Sequence, residues 1–354
     1  MWGSHSGCGG FAGRLVGPYG VYHDYLTNAV HGPKPVFRPS SPDDQPRIAE
    51  FLSRIFRVPL SHPTIRRDMM HWKYWQPGPA WDGSRSYVLE RDGAILAHGA
   101  VWPIEMLPGT DNLTAVALID WAADPASAGA GIALTTRIFQ LAEAVIVIGG
   151  SEEALRMRAA MGFRPRNRIE MMARPLRPFR QIADDPKWTW KTPARLARNL
   201  AWSLWPLSEP SPGWTSVPAD PASLLGHLAK CPAATSAFRH VLKDGRPAGW
   251  YFLIFVPGQA RIAACALSTP FENQWLPLYR LAIEDAGASN EIIALASNTR
   301  QHDALAACGF RMRRTEQILV YDPRGRIPAD AHLELQLMHS DDAFAHGETP
   351  SYLT

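Results

Sequence analysis

The chain has 354 residues, 46% of them hydrophobic and 19% charged, with a formal net charge of +3. It is too long for one ordinary core, too apolar to stay disordered, and too weakly charged to call for a nucleic-acid partner. Four cysteines, Cys8, Cys231, Cys265 and Cys308, stand far apart, without metal or redox spacing. They fit free thiols in a reducing, cytoplasmic setting, and no metal is expected. No apolar run is long enough to span a bilayer, so no transmembrane segment is expected.

Residues 1–35 are rich in Gly, His and Tyr and lack an apolar period. They read as a flexible extension, or as the product of a start codon set too far upstream. Ordered structure is expected from Val36. Ser41-Pro42-Asp43-Asp44 is a helix-start signal, and Gln45 to Phe56 puts Ile48, Phe51, Leu52 and Ile55 on one face. A second helix is expected over Pro63 to Tyr74. The strand Ser86 to Glu90 meets an Asp92-Gly93 hairpin turn and returns as Ile95 to Glu105. A third strand, Leu113 to Ala122, leads into a Gly-rich turn. A helix over Leu134 to Ala144, the strand Val145 to Ile148 and a helix from Glu152 to Met161 complete the first half, 36–174.

Residues 175–213 are crowded with Pro, Arg and Trp and read as a connector with one helical piece, Ala194 to Trp205. Its tryptophans and cations admit two readings, a clamp between the halves or a helix lying on a membrane surface. The second half, 214–323, repeats the scheme. A hairpin turns at Asp244-Gly245, a strand covers Arg261 to Leu267, and helix, strand and helix follow at Leu276 to Ala286, Ile292 to Ala296 and Arg300 to Cys308. Residues 324–354 are expected as a tail. The repeat is visible in the letters. Ala159-Ala160-Met161-Gly162-Phe163-Arg164 and Ala306-Ala307-Cys308-Gly309-Phe310-Arg311 match at an offset of 147, and the same offset superposes Val145-Ile146-Val147-Ile148 on Ile292-Ile293-Ala294-Leu295. A strand, a helix and its glycine stop in one register imply duplication.

The stretch Asp120 to Leu134 carries the chemistry. A strand ends, small residues turn, and a helix begins. The first amides of a helix have no internal partner and lie at the positive end of its dipole. Glycines at such a place let a phosphate approach bare backbone. The alternative is a tight, well-packed turn. The antiparallel strands before it do not suit a dinucleotide fold, which needs a parallel unit and a further glycine.

This stretch resembles the GNAT (Gcn5-related N-acetyltransferase) superfamily, whose hallmark is Arg/Gln-x-x-Gly-x-Gly/Ala after a splayed fourth strand. Here it reads Ala128-Gly129-Ala130-Gly131-Ile132-Ala133, and Asp124-Pro125 and Met161-Gly162-Phe163 are similar to that family too. The resemblance implies an α/β (α+β) mixed-sheet fold present as two tandem GNAT-like copies. It implies an acyl-coenzyme A site, with acetyl-CoA or another acyl-CoA as co-substrate, held by Trp121, Ala122, Ala123 and Ala128, Gly129, Ala130, Gly131, Ile132 and Ala133. Ala128 replaces the hallmark's Arg or Gln. Arg158 stands where the family often carries a Tyr that protonates the leaving thiolate. At the same offset Trp275 and Leu278 replace Ala128 and Gly131, so the second copy is expected to be degenerate and to lack the cradle.

Acyl transfer to an amine needs a base for the amine proton and donors for the oxyanion. Asp120 is the candidate base, with a strand-end ion pair to an arginine as its alternative role. Glu105, a further catalytic candidate, and His98 lie on the adjacent strand, and Arg158 is the candidate stabiliser of the thiolate. The His71-Trp72-Lys73-Tyr74-Trp75 stretch precedes the first hairpin, where the resembled family builds its acceptor wall, so Tyr74 and His98 are substrate-side candidates; packing on the sheet is the other reading of Tyr74, and a half-buried structural histidine that of His98. The expected activity is transfer of an acyl group, acetyl first, from coenzyme A to a primary amine of a small molecule or protein. Two alternatives remain, a non-catalytic acyl-CoA-binding scaffold and an aminoacyl transferase that uses tRNA. The sequence leaves a homodimer open.

Overall fold

The computed structural model describes residues 33–78, 81–104, 113–149, 156, 158–184, 189–205 and 211–354. Among these residues, six strands belong to the first half: β1 Val36–Pro39, β2 Ser86–Arg91, β3 Ala94–Ile104, β4 Ala115–Ala123, β5 Ala144–Ile148 and β6 Arg164–Pro175. Six belong to the second: β7 Trp214–Pro218, β8 Thr235–Lys243, β9 Arg246–Val256, β10 Gln259–Leu267, β11 Glu291–Ala296 and β12 Arg311–Tyr321. All twelve join one sheet in the order β1-β2-β3-β4-β5-β12-β6-β11-β10-β9-β8-β7. Replacing each strand by its counterpart six places on, and reading backwards, returns the same order. The sheet therefore has a pseudo-twofold axis between β12 and β6, which is the duplication expressed in topology.

β6 and β12 carry no strand signal in the sequence, and these are the strands that interlock the halves. β12 pairs antiparallel with β5 and with β6, and β6 pairs antiparallel with β11. Each half thus gives its sixth strand to the other half's fifth. The hairpins match expectation. Asp92 and Gly93 have φ of 51° and 76°, and Asp244 and Gly245 have 50° and 75°. Two successive left-handed residues are what a two-residue hairpin turn needs, and Asp-Gly supplies them.

Helices with both ends among the described residues are α1 Gln45–Phe56, α2 Arg67–Met70, α3 Ala130–Ile138, α4 Pro178–Asp184, α5 Thr192–Ser203, α6 Ser223–Leu228, α7 Trp275–Asp285 and α8 Thr299–Ala307. α1 has the expected bounds and buries Ile48, Phe51 and Leu52. The helix expected over Pro63 to Tyr74 is instead a 3-10 turn, Pro63–Ile65, then α2, then one π turn, His71–Trp75. α3 starts and stops earlier than expected. Gly129, at φ 79°, opens it, and the amides of Glu143 and Ala144 leave the helix to bond Thr114 O at the start of β5.

One face of the sheet carries a continuous core. Side chains from α1, α2, the π turn and α6 pack there together with Leu333, Leu335, Leu337, Met338 and Phe344. The expected tail is therefore a core element, because its alternating leucines are buried. The other face carries two separate cores, one under α3 and one under α7 and α8. In the connector, Trp202 is 3% exposed. Its indole N–H donates to Gly309 O at 2.6 Å, and the guanidinium carbons of Arg311 and Arg313 lie 5.2 and 5.8 Å from its ring centre. Trp188 lies outside the described residues. No helix among the described residues is long and apolar enough to cross a membrane.

Candidate active site

β4 and β5 run parallel and pair over only Ala115–Ala117 and Ala144–Ile146. Beyond that β4 continues to Ala123 and β5 to Ile148, so their ends form a V. On its other side β4 carries a bulge. Ala100 faces Ile119 and His98 faces Ala122, leaving Asp120 and Trp121 opposite Gly99. Asp120 takes the turn at φ 48°, a left-handed conformation that Asp tolerates better than most residues.

The turn after β4 leads to the N-terminus of α3. Ala130 N–H bonds Ser127 O and Ala133 N–H bonds Gly129 O, and no side chain caps the first turn. The amides of Gly131 and Ile132 lie between those two bonds, at the positive end of the helix. A Cβ on Gly129 would meet nothing within 4 Å, whereas one on Gly131 would stand 2.6 Å from Trp121 Cζ2. Gly129 therefore keeps the mouth open, and Gly131 gives room to the tryptophan beneath. The Trp121 indole N–H donates to Thr135 Oγ1 at 3.0 Å, and that hydroxyl donates to Gly131 O at 2.7 Å, tying the strand end to the helix. Asp124 Oδ1 accepts from Ala126 N–H at 2.9 Å and Asp124 Oδ2 pairs with Arg54 at 3.0 Å, which sets a cation beside the turn.

A polar network lies under the bulge. Asp120 Oδ2 stands 2.5 Å from Lys73 Nζ and accepts from Tyr74 OH at 2.8 Å. The side chains of Lys73 and Asp120 are 1% and 9% exposed, so the pair is buried. His98 Nδ1 lies 2.9 Å from Asp120 O and His98 Nε2 lies 2.9 Å from Ser86 Oγ. Burial, against an opposing hydrogen bond to Asp120, drops His98 to a pKa of about 4, so its ring is neutral at pH 7. Burial first, then the Asp120 charge, raise Tyr74 well above the usual phenol range. Asp341 arrives from the C-terminal segment. Burial, then the charges of Asp120 and Asp342, push it up to about 7 against the pull of Lys73.

The pseudo-equivalent cleft of the second half is filled. β10 and β11 again pair over only three residues, Gln259–Arg261 with Glu291–Ile293, and β10 is also bulged, at Ala263. His98 and Trp250 each stand six residues past the Asp of their hairpin turn and pair with Ala122 and Ala266. In that register Cys265 is the counterpart of Trp121. Cys265 N–H donates to Gln336 Oε1 at 2.8 Å, and Gln336 Nε2 donates to Cys265 O at 2.9 Å. Past β11, His332 Nε2 contacts Ser297 O, Ser297 Oγ donates to Leu335 O, and Asn298 Nδ2 donates to Glu334 Oε1. Residues 332–336 thus lie across the V, and a side-chain amide satisfies its strand. In the first cleft Trp121 and Ala123 remain half-exposed.

The structure brings together Asp120, Tyr74 and His98 from the sequence-derived candidates. His98 has both ring nitrogens engaged and is fully buried, so it supports the bulge rather than meeting a substrate. Asp120 is ion-paired, with Lys73 in place of the expected arginine. Arg158 bonds Gly149 O, at the end of β5, and burial lowers its pKa. Glu105 lies outside the described residues. Leu278 is fully buried as the fourth residue of α7, whereas Gly131 is the second residue of α3, so the 147-residue offset does not pair the two. Sequence alone does not point to Lys73 or Asp341. Lys73 sits in the aromatic stretch already singled out, but only the π turn aims it at Asp120; Asp341 lies in a segment with no motif. A cleft of about 610 Å3, lined by Gly78, Asp220, Ser223, His227 and Lys230 among others, contains none of the β4–α3 residues.

This is the GNAT fold, present as two copies in one sheet. Similar solved structures include a GCN5-related N-acetyltransferase from Anabaena variabilis ATCC 29413, at 9% identity and a TM-score of 0.53, covering 82% of this chain and 73% of that one. The Saccharomyces cerevisiae N-myristoyltransferase with bound myristoyl-CoA matches at 10% identity and a TM-score of 0.51, covering 82% and 83%. A GCN5-related glucosamine N-acetyltransferase region of a fungal multi-domain GH3 β-N-acetylglucosaminidase matches at 12% identity and a TM-score of 0.52, covering 83% of this chain and 39% of that one. No protein-family model and no curated protein matches the sequence.

Proposed function

We propose that this protein is an acyl-CoA-dependent N-acyltransferase with one coenzyme A site, in the first half. The contrast between the two clefts carries the reading. The second V is closed by an amide-bearing segment of the chain itself, and Gln336 there marks the backbone positions that an amide ligand would pair with. The pantetheine arm of coenzyme A carries two such amides, and in the first V the counterpart Trp121 stays half-exposed. The α3 amides then take the pyrophosphate, and Arg54 supplies a cation where Ala128 cannot.

The thioester carbonyl lies at the bulge, where backbone N–H groups oppose the developing oxyanion. The acceptor amine attacks that carbonyl, and the sulfur departs as a thiolate close to Arg158. Asp120 takes the amine proton, directly or through Tyr74, while Lys73 holds the carboxylate in place. The acceptor is a primary amine, and an acetyl group is the first donor to try. A reducing, cytoplasmic setting fits the buried thiols Cys231, Cys265 and Cys308.

Calorimetry with coenzyme A and a thiol-release assay with acetyl-CoA and an amine panel test the reading. We expect one equivalent bound per chain and amine-dependent thiol release. No detectable coenzyme A binding overturns it, and binding without turnover of any amine supports the scaffold reading instead.

A further inference from the structure

The connector between the halves presents a surface that the acyl-transfer reading does not use. α5 is apolar on more than one side. It buries Thr192, Asn199 and Trp202 against the protein. Its outer face carries Ala194, Ala197, Ala201 and Leu204, three and four residues apart and all exposed. Leu196 and Leu200 are half-buried, so the helix turns apolar groups both inward and to solvent, where a core-facing helix keeps its outer face polar. The connector exposes larger apolar groups as well. Phe179 is 66% exposed, Trp190 86%, Leu204 79% and Trp205 49%. α4 packs on α5, with Asn199 Nδ2 donating to Gln181 Oε1 at 3.1 Å, so Phe179 and Leu204 belong to one rigid pair of helices.

The same segment is basic. The described residues 176–184 and 189–205 hold five Lys or Arg and a single Asp, a net +4, whereas the whole chain carries +3. Arg180, Lys191 and Arg198 are exposed. Lys191 Nζ lies 5.2 Å from the centre of the Trp190 ring. Arg198 has its pKa lowered by burial and then by Arg313, Arg195 and Arg311, so like charges crowd here. Such crowding is unfavourable until an anionic surface meets it.

We propose that α4 and α5 dock the protein on an anionic lipid bilayer, with Phe179, Trp190, Leu204 and Trp205 entering the headgroup layer and Arg180, Lys191 and Arg198 meeting lipid phosphates. Exposed Trp rings at the two ends of a helix, with cations and exposed apolar residues between them, are the chemistry of an interfacial segment. A polynucleotide would satisfy the cations and leave Leu204 and the alanine stripe in water. A second copy would bring two faces of like charge together. The proposal does not depend on the acyl-transfer reading.

Sedimentation of the full chain with vesicles tests it, using phosphatidylcholine alone or mixed with phosphatidylglycerol, at low and high salt. We expect binding to the anionic vesicles, weakened by salt. Arg180→Gln, Lys191→Gln and Arg198→Gln together should lower partitioning roughly a hundredfold, at about fivefold per charge. Trp190→Ser with Leu204→Ser should lower it at least about tenfold with Tm unchanged, because both side chains are already in water. The proposal is overturned by no sedimentation with anionic vesicles, by equal binding to both lipid mixtures, or by full binding of either variant. Retention on a polynucleotide without vesicle binding overturns it in favour of nucleic acid.

Discussion

Asp120 occupies a left-handed backbone position, shares a buried pair with Lys73 and accepts from Tyr74. Asn tolerates the same backbone, so Asp120→Asn removes the charge without straining the bulge. It also leaves Lys73 buried beside a neutral amide, and breaking a buried pair costs about 3–5 kcal/mol. Two effects are thus expected, a fall in stability and a fall in turnover of roughly a hundredfold, the scale of general base catalysis. Lys73→Met added to Asp120→Asn separates them. Urea titration should show stability recovering while turnover stays low; if turnover returns with stability, Asp120 is structural. The second residue-scale prediction concerns pH. Asp341 and Glu291 are both pushed up to about 7, chiefly by burial. A carboxyl whose folded pKa is raised binds its proton more tightly when folded, so its contribution to stability falls as pH rises from about 4 to 7. His98 and His227, lowered to about 4 by burial, act oppositely and lose stability as pH falls below about 6.5. The two pairs offset each other across that window. Asp341→Asn removes one acid, so its stability should climb with pH between about 4.5 and 6.5 more steeply than wild type. Urea midpoints across pH measure this, and an unchanged slope would show that Asp341 does not titrate there.

At the scale of elements, what could be read from the sequence follows from local chemistry. The Asp-Gly turns at residues 92–93 and 244–245, the α1 stripe and the Gly162/Gly309 register are written in adjacent letters. The strands that lock the halves were not. β6 is rich in Arg and Pro, and β12 opens with Arg311, Arg313 and Arg314, so neither shows a clean alternation. Their strand character comes from partners far along the chain, which single-sequence periodicity cannot see. The site divides in the same way. Asp120, Tyr74 and the Gly129 turn carry local signals, whereas Asp341 reaches the network only through the path of the C-terminal segment. Strand exchange has a measurable consequence. A chain cut between β6 and β7 loses β12 from one piece and β6 from the other, leaving β5 and β11 with open edges. Residues 33–205 and 211–354 made separately should each aggregate, while co-expression should give a folded, co-purifying pair. A well-dispersed NMR spectrum from either piece alone would contradict the interlocked sheet.

For the whole molecule, the pseudo-twofold sheet poses a question of asymmetry, since two similar V-shaped openings serve one proposed site. Loss of a glycine turn explains only part of it; Leu278 is fully buried, so Leu278→Asp would disrupt folding before it reported on ligand binding. Gln336 is the better probe. Gln336→Ala strips both partners from the Cys265 backbone without touching the leucines on either side. Leaving buried backbone groups unmet costs about 1–3 kcal/mol, so the variant should unfold at lower urea yet remain folded without it. Leu333, Leu335 and Leu337 still hold the segment in the core, so the second V stays covered and no second site appears. Calorimetry should return one equivalent of coenzyme A for wild type and for Gln336→Ala, with unchanged affinity. Gly131→Asp should abolish binding, because a side chain there displaces Trp121 and sets a carboxylate beside the α3 amides. Two equivalents in Gln336→Ala would mean that the clefts are functionally alike and that the C-terminal segment alone keeps the second one closed.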